Sequence, residues 1–263
     1  MLTGAALCSG VLVVNCPRAT VQPVSDHAIG LIFALTRSIT HQAALVASGV
    51  WDRAAAPTPI ELEGLTIGLV GFGAIPRMVL RKLQHFGVSF LVYDPMLTAE
   101  DVAAEAEGCA APVTLLPTLA ELCAASDIVS VHAPLVEATV GLVGEAEFRA
   151  MSPETLLINT ARGPVVDEAA LVAALSDPTH GPAAAGLDVV ESEPLPPDHP
   201  LATAENVVLT PHIGGFSVRM FEQFWQLSAE SVVAMAAGHL PESFTNPEAA
   251  KGSGFAAAER PAL

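Results

Sequence analysis

Three short stretches carry residues whose types combine into one reaction centre. Arg162 sits in Asn159-Thr160-Ala161-Arg162-Gly163, Glu193 in Asp188-Val189-Val190-Glu191-Ser192-Glu193-Pro194, and His212 in Thr210-Pro211-His212-Ile213-Gly214-Gly215. A cation, a carboxylate and an imidazole are what hydride transfer to or from a 2-hydroxy acid needs. Glu191 is a rival to Glu193, two residues away. The isolated histidines His41, His85 and His199 read instead as surface or capping residues.

A second constellation lies upstream. Gly71-Phe72-Gly73-Ala74-Ile75-Pro76 carries the first two glycines of a GxGxxG loop and lacks the third. Alone such a loop is weak evidence. Here it follows an apolar run, opens a helical pattern, and is followed 23 residues after Gly71 by Asp94. That context marks a dinucleotide site. Backbone amides of the loop approach a pyrophosphate where the helix dipole favours negative charge. Asp94 would accept hydrogen bonds from the adenosine ribose and repel a 2′-phosphate, which favours NAD over NADP. Pro76, bulkier than the usual glycine, biases Ile75 away from helical geometry. A slightly displaced helix start and weaker NAD binding are therefore expected.

The elements that must position these residues alternate. Val11–Val14 reads as a short buried strand and Ser25–Ala47 as one long helix, with Ser25 and Asp26 as capping candidates and Gly49 as the stop. Thr66–Val70, the glycine turn, a helix to about Phe86 and a strand from Val88 to Tyr93 form one βαβ unit. Further strands are expected at Ile128–Val131, Thr155–Ile158, Ala184–Leu187 and Val207–Leu209, with helices at Thr118–Ala125 and Glu168–Leu175. The last helix is expected at Ser217–Ala237, with Phe224 and Trp225 as core contacts, followed by a frayed tail. This alternation implies an α/β fold with a doubly wound parallel sheet of the Rossmann kind, with ligands at the carboxyl ends of its strands.

Composition narrows the class. Of 263 residues 51% are hydrophobic and 15% charged, so disorder throughout is excluded. A formal net charge of −17 argues against a nucleic-acid partner. Cys8, Cys16, Cys109 and Cys123 show no CxxC pair or zinc spacing, which fits a reduced, cytoplasmic setting without metal. The opening apolar residues lack a basic flank, and the apolar block Ala28–Leu35 is too short to span a bilayer, so no membrane role is expected.

Taken together, the ordered motifs resemble the NAD-dependent D-isomer-specific 2-hydroxyacid dehydrogenases. The likeness runs through Val131-His132-Ala133-Pro134-Leu135, the Arg162 stretch, Asp167-Glu168-Ala169-Ala170-Leu171, the Glu193 stretch and Leu209-Thr210-Pro211-His212. It reaches back through the Gly71 loop to Val14-Asn15-Cys16-Pro17 and covers nearly the whole chain. The resemblance implies NAD as cofactor and a small 2-hydroxy or 2-oxo acid as substrate. It implies that Arg162 grips the substrate carboxylate and polarises the carbonyl, a bidentate task that suits a guanidinium. His212 would exchange a proton with the substrate oxygen, and Glu193 would orient that imidazole and favour its protonated form. Gly71, Phe72, Gly73, Ala74 and Ile75 would line the cofactor, as would Asp94, His132, Pro134, Thr160, Ala161 and Gly214. Asp188 would hold the nicotinamide carboxamide.

The resemblance also implies a homodimer formed through the cofactor domain, for which the helix from Ser25 and the Trp51 segment are the candidates. Residues 1–20 would be a remnant of a flavodoxin-like substrate domain, 21–214 the NAD-binding domain, 215–246 a C-terminal helix returning to the substrate domain, and 247–263 a tail. A βαβ unit needs over 30 residues, so on the order of 60 to 90 residues would be absent ahead of Val11. The helix face of Phe221, Phe224, Trp225 and Val232 would then be partly exposed and turnover reduced. Two alternatives share these motifs: an NAD-responsive binding protein of the corepressor kind, and a non-catalytic NAD-binding remnant.

Overall fold

Short runs of β-branched and aliphatic residues, closed by polar or turn residues, form strands that are apolar on both faces and need helices on each side. The computed structural model describes residues 11–246 and Ala249. The apolar opening at 2–8 and, Ala249 apart, the tail at 247–263 lie outside the described residues. One compact unit is Val24–Gly214, and the other joins Met1–Pro23 to Gly215–Leu263.

Two helices, α1 (Arg18–Thr36) and α2 (Ile39–Ala47), precede the sheet. The alternation that follows is β1 (Thr66–Val70), α3 (Ala74–Leu83), β2 (Ser89–Tyr93), α4 (Ala99–Glu105), β3 (Val113–Leu115), α5 (Leu119–Ala125), β4 (Ile128–Val131), α6 (Glu145–Ala150), β5 (Leu156–Asn159), α7 (Glu168–Leu175), β6 (Ala184–Leu187), α8 (Pro200–Thr203) and β7 (Val207–Leu209). All seven strands are parallel, in the order β3-β2-β1-β4-β5-β6-β7, so the winding reverses between β1 and β4. The register aligns Tyr93, Val70, Val131, Asn159, Leu187 and Leu209 in one row across the sheet.

The two-residue period of a strand sends alternate side chains to opposite faces. Ile67 and Leu69 of β1 join Phe90, Ile128 and Ile158 beneath Ala28, Leu31 and Ile32 of α1 and Val79, Leu80 and Leu83 of α3. Val70 joins Val129, Val131 and Leu157 against Leu122, Phe148 and Leu171. Each such fully buried side chain is worth about 1.5–3 kcal/mol.

Several sequence expectations change. The long helix breaks at Ser38, whose left-handed φ of +50 separates α1 from α2. It also starts earlier, at Arg18, and carries Pro23 inside it. Ser25 and Asp26 therefore do not cap: both accept from Lys82 Nζ of α3, at 2.7 and 2.8 Å. Val11–Val14 is not a buried strand, because Val11 is 60% exposed and only Val14 makes a single antiparallel bridge, to Phe244. Helix α3 starts at Ala74, directly after Gly73, with Pro76 buried in its first turn. The first turn has no intrahelical use for the missing N–H. The displaced start is absent.

Elements α4, β3, α6 and α8 have no counterpart among the sequence expectations. β3 is interrupted by Thr114 and lacks the continuous apolar run that marks β7. α4 is announced only by a Thr98–Asp101 capping box. In the other unit, α9 (Val218–Ala236) is capped by Ser217, which accepts from the Met220 amide at 3.0 Å. Its Phe224 and Trp225 are 42% and 68% exposed, so they are not core contacts. Phe221 and Val232 are exposed as well. No single described helix is long and apolar enough to cross a membrane; the pair α1 and α2 has that length and composition but bends by 62°.

Candidate active site

The aligned row of strand ends explains why distant motifs meet. One residue past it stand Asp94, Gly71, His132, Thr160, Asp188 and Thr210, at the carboxyl ends of β2, β1, β4, β5, β6 and β7. Five of these six are residues singled out in the sequence.

The glycine loop is built for close approach. Gly71 has φ +88, and a Cβ there would lie 3.1 Å from the Ala133 nitrogen, so the β1 turn can pass the β4 turn only as glycine. The Phe72 amide donates to Asp94 Oδ2 at 2.9 Å, and the Met96 amide to Oδ1 at 3.0 Å. Each carboxylate oxygen keeps a lone pair for a further donor. Arg77 braces the loop: its Nε donates to the Phe72 carbonyl at 2.8 Å, its guanidinium lies 5.3 Å from the Phe72 ring centroid, and it pairs with Glu105 at 2.5 Å.

Gly73 caps α3 without a side-chain hydrogen bond, which leaves the first amides of the helix for an anion. Thr160 Oγ1 is buried and has no hydrogen-bond partner among the described residues. An uncapped helix start beside the reversal of winding, a ribose-ready carboxylate and an orphaned hydroxyl fit a dinucleotide. His132 meets Ser130 Oγ at 2.8 Å, and burial pushes its imidazole pKa from 6.5 down to about 4, so the ring is neutral near pH 7. Pro134 is exposed, and its carbonyl accepts from Thr139 Oγ1 at 2.5 Å.

On the reaction side, Asn159 folds its buried amide back on the turn it begins. Its Oδ1 accepts from the Ala161 amide at 3.0 Å, and its Nδ2 donates to the Arg162 carbonyl at 3.2 Å. Arg162 is exposed; its guanidinium donates to the Ala161 carbonyl at 2.6 Å and has no carboxylate partner among the described residues. Gly163 docks this turn on the Glu193 loop: a Cβ there would lie 1.9 Å from the Val190 carbonyl oxygen.

Within that loop the two glutamates part company. Glu191 exchanges hydrogen bonds with Glu168 at the start of α7, each backbone amide donating to the other's carboxylate, at 2.9 and 3.2 Å. Glu193 Oε2 instead meets His212 Nδ1 at 2.7 Å, while its Oε1 accepts a long 3.4 Å bond from the Val190 amide. Both side chains of the pair are about two-fifths exposed, at 40% and 44%. His212 itself has φ +54, a left-handed conformation that costs a non-glycine residue about 1–2 kcal/mol.

Asp188 is 3% exposed. Burial pushes its carboxyl up, but hydrogen bonds from His27, Thr210 and the Gly214 and Ile213 amides outweigh that and hold it below the usual carboxylate range. It stays ionised and ties down the loop that carries His212.

Comparison with known proteins shows the family of the chain. The family model "D-isomer specific 2-hydroxyacid dehydrogenase, NAD binding domain" matches residues 29–214. The chain belongs to this family. Its members include a glyoxylate reductase of Thermofilum pendens, 40% identical over 247 residues that make up 92% of this chain and 70% of the relative. A D-3-phosphoglycerate dehydrogenase of Methanocaldococcus jannaschii is 35% identical over 92% of this chain and 44% of its own length. Among solved structures, D-lactate dehydrogenase with NAD+ from Lactobacillus jensenii superposes with a TM-score of 0.79 at 27% identity, over 93% of this chain and 74% of that one. The D-2-hydroxyacid dehydrogenase described here is thus an NAD-dependent oxidoreductase that moves a hydride between a hydroxy acid and the corresponding oxo acid.

Sequence reasoning missed what holds this dehydrogenase's loops. Asn159 and Gly163 lie inside a quoted motif, yet their tasks depend on partners only the fold supplies. Thr210 likewise lies inside the His212 stretch without its task being visible, and His27 had no signal at all. His199, read as a capping residue, does cap α8, its ring accepting from the Leu201 amide at 3.3 Å.

Two outcomes follow for the dehydrogenase. Gly163→Ala forces the Arg162 turn off the Val190 carbonyl, and urea denaturation is expected to show a loss of about 1–3 kcal/mol or more. For His132, the unfolded chain binds a proton near the ordinary 6.5 while the folded chain resists it until about 4. Stability present above 6.5 is therefore lost as pH falls toward 4. His132→Gln is expected to flatten that loss, read as the change in unfolding free energy between about pH 7 and about pH 5.

Proposed function

We propose that Arg162, Glu193 and His212 carry the chemistry of this dehydrogenase, and that its substrate is a small D-2-hydroxy acid or the matching 2-oxo acid. The observation that supports this best is the 2.7 Å contact of Glu193 Oε2 with His212 Nδ1, which commits one ring nitrogen to the carboxylate and keeps Nε2 for proton exchange. NADH, when bound, would supply a hydride for the carbonyl carbon. His212 gives its Nε2 proton to the carbonyl oxygen, so that carbonyl plus hydride plus proton makes the hydroxy acid. Glu193 stabilises the imidazolium before that transfer and accepts its Nδ1–H throughout. Arg162, without a carboxylate partner among the described residues, grips the substrate carboxylate bidentately and draws electron density from the reacting carbonyl.

In this reading the pyrophosphate lies on the Gly71-Phe72-Gly73-Ala74-Ile75 loop, and Asp94 takes the ribose hydroxyls. His132, Pro134, Thr160, Ala161 and Gly214 line the nicotinamide half. Asp188 would offer the carboxamide a lone pair of Oδ2, which among the described residues takes only the Gly214 amide, at 2.8 Å. The names of the relatives make glyoxylate and a phosphorylated 2-oxo acid the first substrates to try. With NADH absorbance as readout, one of them is expected to be reduced. His212→Asn is expected to lower kcat by about a hundredfold or more, and Arg162→Lys to raise KM steeply as well. Undiminished turnover in His212→Asn would sink the assignment.

The working unit in this proposal is a cytoplasmic homodimer. Cys16, Cys109 and Cys123 are free thiols, in keeping with a reducing compartment. Trp51 is 88% exposed, and Ile39, Val46 and Ile60 are each exposed by two-fifths or more. Apolar surface of that extent near α2 is suited to a second copy. Trp51→Glu is expected to shift the protein toward monomer in sedimentation velocity, and an unchanged sedimentation coefficient would count against this surface.

A further inference from the structure

His27 lies on α1, far in sequence from the reaction-side loops. Its Nε2 stands 2.8 Å from Thr210 Oγ1 and 3.3 Å from Asp188 Oδ1. Thr210 Oγ1 in turn lies 2.6 Å from Asp188 Oδ1. A threonine hydroxyl has one proton and an ionised carboxylate only accepts, so Thr210 donates to Asp188. His27 must then donate to Thr210, which requires the ring proton on Nε2.

The same carboxylate accepts the Ile213 amide at 3.0 Å and the Gly214 amide at 2.8 Å, and the Asp188 main-chain carbonyl accepts the His212 amide at 2.9 Å. The residue held among these anchors is His212, with its left-handed φ. The His27 ring also packs on the loop directly: a Cβ on Gly214 would come within 3.2 Å of His27 Cδ2.

We propose that His27 is a positioning residue. Through Thr210 and Asp188 it locks the 210–214 loop so that the His212 imidazole meets Glu193. This rests on the reading of His212 as the proton-exchanging group and adds a residue that no motif of the sequence marks. A left-handed backbone at a non-glycine residue persists only where its surroundings over-determine it, and the buried Asp188 carboxylate is the hub of those surroundings. Without His27 the Thr210 hydroxyl is free to turn and the hub loses a donor. A purely space-filling role would be met by any ring of similar size, whereas positioning requires the N–H.

Nuclear magnetic resonance on the full chain tests both halves. The ring nitrogens of His27 are expected to show the proton on Nε2; a neutral ring protonated on Nδ1 would overturn the proposal. His27→Phe keeps a ring without the donor, and His27→Gln restores an N–H near the Nε2 position. Hydrogen exchange at the Ile213 and Gly214 amides is expected to quicken by about tenfold in His27→Phe and to return in His27→Gln. Equal protection in all three proteins would overturn it. Should His27→Phe not fold, Thr210→Val removes the same link and is expected to give the same rise, unchanged exchange again being fatal. In turnover, His27→Phe is expected to lower kcat about tenfold while the NADH dissociation constant stays within about twofold. A parent chain that reduces no 2-oxo acid would defeat the functional reading alone, since the ring proton and the amide exchange still decide the role of His27.

Discussion

The structure depends on one constraint: the register of a parallel sheet. Because Tyr93, Val70, Val131, Asn159, Leu187 and Leu209 share one row, the residues that follow them emerge together at one edge. A slip of one residue in any strand would exchange the side chains packed on its two faces and mismatch both cores. Core packing therefore enforces the alignment of the site. Ile67, Ile128 and Ile158 on one face, and Val70, Val131 and Leu157 on the other, fix the strands that present Gly71, His132 and Thr160. The loops need only short reaches from there, and glycines 71 and 163 let them pass within contact distance of their neighbours.

An acidic protein that handles anions has a local problem to solve. The chain carries a net −17, to which Asp94, Asp188 and Glu193 of the described site contribute. Each of these carboxylates is committed to donors of its own: Asp94 to two backbone amides, Asp188 to two amides, a threonine and a histidine, and Glu193 to an imidazole. Their charge is spent on organising loops. The groups left facing an anion are the uncapped amides of α3 and the guanidinium of Arg162.

How much of this the sequence revealed follows the range of the interactions. The strands, the glycine loop and the order of Arg162, Glu193 and His212 were legible because each rests on a local pattern. Of the two candidate glutamates, Glu193 meets His212 and Glu191 is used at α7. Position within a motif could propose that choice, and only the fold could give its reason. The break at Ser38 was hidden, since nothing in an apolar helical pattern announces one residue turning left-handed. The ties of Ser25 and Asp26 to Lys82 were equally hidden, because their partner lies on another helix. The same is true of Asn159, Gly163 and His27, whose contacts join segments that the chain keeps apart.

The Glu193–His212 contact joins the loop after β6 to the loop after β7, and β7 is a three-residue strand paired along one side only. Strands at such a border open more readily than those in the middle of a sheet. The Glu193–His212 contact is therefore expected to loosen on warming before the interior strands that hold the glycine loop. In the proposed reading, proton transfer thus rests on the border of the sheet and dinucleotide binding on its interior, so heating is expected to cost turnover before it costs NADH binding.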